Sequence, residues 1–169
     1  MRFIISQQGV EANLEKVKAI LEWPELQSFF EVRSFHDLAT FYRWFINNFS
    51  TIMAPVTEFL KAEVFKWTPS VARAFNTIKK KMVATLVLKL PDFNKIFEVS
   101  YDASHVGIAG VLSQAGHPIA YYSEKLNDSR RKSSKYDLEF YTLIQTLKHW
   151  RPYLIHCEFI LFTDHDFLK

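Results

Sequence analysis

The chain has 169 residues, 49% of them hydrophobic and 16% aromatic, and its 21 Lys and Arg against 18 Asp and Glu give a formal net charge of +3. This composition excludes a disordered chain, and the single cysteine, Cys157, excludes a disulfide scaffold. No apolar stretch approaches the roughly 18 residues of a membrane span, and no signal peptide is recognisable. We therefore expect an intracellular protein with no membrane partner.

The first 90 residues are predicted to form short amphipathic helices, because their apolar residues recur at helical spacing. The predicted ranges are 14–22, 29–47, 53–61 and about 69–84. Thr68 and Pro69 are typical of an N-cap and a first helical residue. In the second of these helices, the spacing places Phe30 and Phe41 among the buried residues.

A boundary is predicted near Leu90-Pro91-Asp92. Residues 1–90 contain 12 basic and 8 acidic residues, whereas residues 91–169 contain 9 and 10, so the excess positive charge lies in the first part. The hydrophobic period also changes there, from the helical period to alternation.

The second part is predicted to contain four strands and one helix, which makes the chain an α+β protein with a mixed sheet. The predicted strands are 97–102, 107–113, 117–124 and 158–164, with a hairpin turn at 114–116. Ser134 and Asp137 resemble a capping box that opens a helix to about Tyr153. Its predicted buried stripe consists of Phe140, Leu143, Ile144, Leu147 and Trp150.

Three acidic residues stand at positions where they could meet. Asp102 and Asp164 each end a predicted strand, and Glu139 lies near the start of the helix. Clustered carboxylates favour Mg²⁺, which prefers oxygen ligands, and paired metal ions can promote phosphodiester cleavage. The spacing alone is equally compatible with turn-forming or capping aspartates and a solvated glutamate.

The ordered motifs of the whole chain resemble the pol polyprotein of gypsy-class long-terminal-repeat retrotransposons, from the end of the reverse transcriptase into its RNase H domain. These motifs are Ser6-Gln7-Gln8-Gly9-Val10, Glu15-Lys16-Val17-Lys18-Ala19-Ile20, Trp23-Pro24, Glu31-Val32-Arg33-Ser34-Phe35, Phe41-Tyr42-Arg43, Phe45-Ile46-Asn47-Asn48-Phe49-Ser50, Ala54-Pro55, Leu90-Pro91-Asp92-Phe93, Asp102-Ala103-Ser104, Val106-Gly107-Ile108, Pro118-Ile119-Ala120-Tyr121, Tyr136-Asp137 with Glu139, and Thr163-Asp164-His165.

The resemblance implies three regions: the end of the polymerase palm (1–12), a helical thumb and tether (13–90) and an incomplete RNase H-like domain (91–169). Asp102, Glu139 and Asp164 match the acids that bind Mg²⁺ (or Mn²⁺) and cut the RNA strand of RNA–DNA hybrids. The family's fourth acid and its polymerase aspartates match nothing in this sequence, so we expect no polymerase activity. An alternative is an inactive, truncated or domesticated module that binds nucleic acid or a protein partner.

The resemblance also implies partners and a location. The expected partners are an RNA–DNA hybrid or template–primer and the rest of the polyprotein, in cytoplasmic virus-like particles or the nucleus. Candidate nucleic-acid contacts are the basic residues Arg130, Arg131 and Lys132, together with Tyr42, Arg43 and Trp44. The basic cluster is equally compatible with a solvated loop.

Overall fold

The computed structural model describes residues 3–6, 9–12, 18, 20–84 and 87–163. It shows helices followed by a mixed four-stranded sheet with a packed helix, which confirms the predicted α+β class. Most of the predicted helix 14–22 lies outside the described residues, although Lys18, Ile20 and Leu21 are helical. None of the helices in the described part of the chain is long and apolar enough to cross a membrane.

A small antiparallel sheet, which the sequence analysis missed, ties the two ends of the helical part together. It consists of β1 (Phe3–Ser6), β2 (Gly9–Ala12) and β3 (Val87–Leu88), with Val10 opposite Leu88. Gly9 has φ +142°, and a Cβ on it would lie 2.1 Å from the Leu88 carbonyl oxygen. Only glycine therefore fits this position.

The predicted helix over 29–47 is wrong in length. It is divided into α1 (Phe29–Phe41) and a 3₁₀ turn (Arg43–Phe45), and α2 (Phe49–Phe59) begins where Asn48 adopts a left-handed conformation with φ 59°. Asparagine tolerates that conformation and so permits the change of direction. Phe30, predicted to be buried, is 78% exposed.

Helix α3 (Pro69–Ala84) matches its prediction. The Val71 amide donates to the Thr68 hydroxyl at 3.4 Å, as an N-cap requires. The apolar stripe packs into one core with the buried faces of α1 and α2. The buried residues of α3 in this core are Val71, Ala74, Phe75, Ile78 and Met82.

The second sheet has the order β6-β5-β4-β7. Its strands are β4 (Phe97–Ala103), β5 (Gly107–Gln114), β6 (His117–Lys125) and β7 (Phe159–Phe162). Strands β4, β5 and β6 are antiparallel neighbours, whereas β7 runs parallel to β4. The two strands that were predicted to carry acids at their ends are therefore neighbours.

One face of this sheet is covered by α5 (Lys135–His149), which follows the short α4 (Asp128–Arg131) and precedes the short α6 (Arg151–Leu154). The Ser134 cap is confirmed, because its hydroxyl accepts from the Asp137 amide at 3.1 Å.

The predicted buried stripe of α5 is wrong by about one residue. Phe140 is exposed, whereas the buried positions are Leu138, Glu139, Thr142 and Thr146, with Trp150 directly after the helix. The physical reason is Gly110 of β5, because its missing Cβ makes room for Thr146 and Trp150.

Candidate functional site

Asp102 lies on the face of the sheet opposite α5. A Cβ on Gly110 would meet α5, and Gly110 is paired with Tyr101, so Tyr101 belongs to the helix-covered face. Successive side chains alternate between faces, which places Asp102 on the other one. We call this second face the groove face. Asp102 is exposed there and opposes Ala109 of β5.

An open groove of about 390 Å³, which we call the Asp102 groove, lies over this face. It lies between strands β4, β5 and β7 and the segment that leads into α2. Its lining residues are Asn47, Asn48, Ser100, Tyr101, Asp102, Ala109, Gly110, Val111, Phe162 and Thr163. Carboxylate, hydroxyl and amide groups thus surround Asp102 without a cationic side chain among the groove's described lining residues.

Glu139 lies at the same end of the sheet as Asp102, on the covered side. Trp150, beyond the end of α5, clusters with Phe97 at the start of β4, while Leu138 clusters with Ile108, opposite Ala103 at the end of β4. The helix therefore runs antiparallel to β4. Glu139 is only 5% exposed, and burial of a carboxylate is costly unless it is compensated.

The third predicted acid, Asp164, lies outside the described residues. The chain can be followed to Thr163, which lines the Asp102 groove. Among the described residues, no three His, Cys, Asp or Glu side chains form a group that could hold a metal ion. The oxygen donors of the groove nevertheless match the ligand preference of Mg²⁺ and Mn²⁺.

Tyr42, Arg43 and Trp44 differ in their surroundings. Tyr42 is 1% exposed between Phe41 and Phe45, so the prediction that it lies on the surface is wrong, and burial raises its pKa. Trp44 is 44% exposed. The Arg43 guanidinium is half-buried, and its Nη2 donates to the Ser123 carbonyl of β6 at 2.5 Å.

The predicted basic cluster occupies α4 and the residue after it. Arg130 is exposed and lies 4.3 Å from the ring centroid of Tyr141, a cation–π contact that orients the guanidinium. Arg131 lies 3.6 Å from an Asp128 carboxylate oxygen, and Lys132 is exposed. Arg130 and Lys132 thus keep charge at the surface, whereas that of Arg131 is partly neutralised.

A three-ring stack, which the sequence analysis missed, joins the helical part to the sheet. His149 of α5 stacks between Trp44 and Tyr122, with centroid distances of 5.2 and 4.3 Å. Burial, and to a lesser extent the charge of Arg43, lowers the pKa of His149. The only sequence signal was the presence of ring residues in separate predicted elements, and spacing does not bring them together.

Comparison with protein families decides the classification. The family model of the RNase H-like domain found in reverse transcriptase matches residues 67–161, more than half of the chain. The chain belongs to this family. Its matched range contains β4, β5 and β6 together with α5, so Asp102 and Glu139 are both part of the RNase H-like domain.

The related sequences are polyproteins. The retrovirus-related Pol polyprotein from transposon 297 of Drosophila melanogaster is 35% identical, over 98% of this chain and 16% of that protein. The corresponding protein of transposon gypsy is 34% identical over 97% of this chain and 17% of its own length. The transposon Tf2-3 polyprotein of Schizosaccharomyces pombe is 34% identical over 95% and 13%. This chain thus spans about a sixth or less of these relatives.

A solved structure supports the fold. The foamy viral protease-reverse transcriptase in complex with RNA/DNA hybrid matches with a TM-score of 0.81 and 23% identity, covering 94% of this chain and 22% of that chain. The similarity extends over both the helical part and the RNase H-like domain.

Proposed function

We propose that this chain is the thumb and RNase H portion of a gypsy-class retrotransposon reverse transcriptase, and that it cleaves the RNA strand of RNA–DNA hybrids. The observation that carries this proposal is the exposed Asp102 carboxylate in an open, oxygen-lined groove on the uncovered face of an RNase H-like sheet. The foamy viral protease-reverse transcriptase, which shares the fold, was solved in complex with an RNA/DNA hybrid, and this supports the same substrate class here.

We propose the region boundaries 1–12 for the end of the palm, 13–90 for the thumb and tether, and 91–169 for the RNase H-like domain. The support is the separation of the buried residues into distinct clusters. One cluster extends from Ile20 to Leu88, and the two sheet clusters lie between Phe97 and Leu154.

Asp102, Glu139 and Asp164 would hold the divalent cation, with Asp102 as the ligand accessible from the groove. When bound, Mg²⁺ or Mn²⁺ activates water and stabilises the leaving oxygen of the phosphodiester. Ser100, Asn47 and Asn48 can donate hydrogen bonds to the substrate beside Asp102, since they line the same groove. Their role is to position the strand.

The proposed nucleic-acid contacts outside the groove are Arg43, Trp44, Arg130 and Lys132. Trp44 offers an exposed ring for stacking, and the three cations offer phosphate contacts. Tyr42 is not among them, because its ring is buried, and we expect a smaller contribution from Arg131, because it is close to Asp128.

The test is cleavage of an RNA–DNA hybrid labelled on its RNA strand, with Mg²⁺, by the full chain and by Asp102→Asn. We expect the substitution to abolish cleavage while leaving the thermal unfolding midpoint unchanged, because Asp102 is exposed. Glu139→Gln, which keeps the shape of the side chain, is expected to abolish cleavage as well.

Ser113→Ala is a suitable control, since Ser113 belongs to β5 but does not line the groove, and it should cleave like the unmodified chain. Cleavage that survives in Asp102→Asn would contradict the catalytic assignment. If the unmodified chain binds the hybrid without cutting it, the alternative of a binding module is the correct one.

A further inference from the structure

A small pocket of about 170 Å³ lies between α1, α2 and the end of β6. We call it the Arg43 pocket. One face of α1 and the following turn supplies His36, Thr40 and Arg43, spaced by four and three residues, as neighbours on a helix surface are. The other lining residues are Phe49, Ser50, Met53, Thr57 and Lys125.

The pocket collects positive charge without a carboxylate among its described lining residues. Arg43 has a half-buried guanidinium with five N–H donors, and among the described residues no Asp or Glu lies within ion-pair distance of it. Lys125 is mostly buried, with its side chain 21% exposed. A buried charge without a paired carboxylate indicates a site for an anion.

The pocket opens on the same face of the sheet as the Asp102 groove. Asp102 is opposite Ala109, and Ala109 is opposite Ser123, so the three residues form one row across β4, β5 and β6. Arg43 contacts Ser123, at the far end of that row. Two strand spacings amount to about 10 Å, roughly the rise of three nucleotides along a helix axis.

We propose that the Arg43 pocket binds a backbone phosphate of the nucleic acid that occupies the Asp102 groove, a few nucleotides from the cleavage point. This proposal rests on the proposed function, because it takes the occupant of the groove to be a nucleic-acid strand. Arg43 and Lys125 supply the charge, and the His36 ring stands beside them on α1. The planar guanidinium fork suits two phosphate oxygens at once.

Glu58 competes with that phosphate for Lys125. Its carboxylate pairs with the Lys125 ammonium from outside the pocket, and the hydrogen bond to Lys125 is the main reason that the pKa of Glu58 is lowered. Glu58→Gln should therefore release Lys125 for the phosphate and strengthen binding. This opposite effect of two neighbouring substitutions is not expected from a merely structural ion pair.

The experiment measures the affinity of the full chain for a short fluorescein-labelled RNA–DNA hybrid by anisotropy, in EDTA and at about 50 to 200 mM KCl. Loss of one phosphate contact should lower the slope of log K against log salt by about 0.9. We expect this change in Lys125→Gln, and a higher affinity in Glu58→Gln. Arg43→Lys, which keeps the charge but loses the planar fork, should lie between the unmodified chain and Lys125→Gln.

Lys61→Gln is the matched control. Lys61 also contacts Glu58, at 3.5 Å, but it is exposed and does not line the Arg43 pocket. It removes the same charge, so an equal loss of affinity in Lys61→Gln and Lys125→Gln would overturn the proposal in favour of general electrostatic attraction.

Inorganic phosphate distinguishes the two sources of this anion. Backbone recognition predicts that phosphate competes with the hybrid no better than chloride at equal ionic strength. Selective competition by phosphate, or phosphate binding without any effect of Lys125→Gln on the hybrid, would make this a free-phosphate site and overturn the proposal. Absence of cleavage with Lys125-dependent hybrid binding would refute only the proposed function; cleavage with an unchanged KM in Lys125→Gln would refute only the pocket.

Discussion

The turn between β5 and β6 contains two residues with left-handed backbone, Ala115 with φ 49° and Gly116 with φ 74°. Two-residue hairpin turns of this kind match the twist of the strands, and they favour Asn-Gly. Alanine at the first position carries a steric cost of about 1–2 kcal/mol, because its Cβ approaches the following carbonyl oxygen. The turn forms here because the strands on either side dictate it.

Ala115→Asn should therefore raise the free energy of unfolding by about 0.5–1 kcal/mol, measured by urea denaturation. Gly116→Ala is the matched comparison. Nothing lies within 4 Å of a Cβ on Gly116, so a loss of about 1 kcal/mol there would come from the backbone alone. Loss of stability in Ala115→Asn would contradict this description of the turn.

Individual residues also show what the sequence could reveal about the site. Asp102 and Glu139 were found because acids at element ends are visible in a linear pattern. The burial of Tyr42 and the partnership of Arg43 with Ser123 were not predictable, since both depend on β6, which is about 80 residues away along the chain. The Arg43 pocket was missed for the same reason.

Among the elements, α5 connects most directly to the rest of the molecule through His149. Its ring lies between Trp44 of the 3₁₀ turn and Tyr122 of β6, and burial favours its neutral form. The Tyr122 hydroxyl donates to a Glu124 carboxylate oxygen at 2.7 Å, which holds the other side of the stack. Protonation of His149 would place a second charge near Arg43.

The stability of the protein should fall as the pH is lowered through about 6.5, where His149 of the unfolded chain takes up a proton and the folded chain resists it. The loss should continue down to the lowered pKa of the folded state. His149→Phe keeps a ring in the stack and should reduce this dependence. Urea unfolding at about pH 7.5 and 5.5 measures it; an identical pH dependence in the variant would refute the assignment.

Elements whose signals are local were predictable, and those that depend on distant partners were not. Helix α3 and the β5–β6 hairpin follow from Thr68, Pro69 and the alternation of the strands. The sheet of β1, β2 and β3 did not, since Val10 and Leu88 pair across almost half the chain. The buried face of α5 was misjudged because it depends on Gly110 of a facing strand.

For the molecule as a whole, Ser123 is the main polar link between the helical part and the RNase H-like domain. Its hydroxyl accepts from the Ser50 amide at 3.0 Å, in the first turn of α2, where Asn48 provides no side-chain cap. Its carbonyl accepts from Arg43 and from the Ser50 hydroxyl. A residue of the sheet therefore caps a helix of the other part.

Ser123→Ala should lower the free energy of unfolding by about 1–3 kcal/mol, because a buried amide of α2 loses its acceptor. Amide hydrogen exchange should accelerate in both α2 and β6, since the bond joins them. Ser113→Ala is the control, because Ser113 bonds to Glu98 within the sheet and its effect should stay there. Faster exchange in β6 alone would show that the two parts are not coupled through Ser123.

The pairing of Val10 with Leu88 closes a loop of about 80 residues, and its entropic cost grows with the logarithm of that length. The helices inside the loop depend on nearer contacts, which form faster. We therefore expect the helical core to collapse first and the strand that joins its ends to be added late. During synthesis, residues 3–12 emerge long before Val87 and Leu88, so β2 must wait for its second partner.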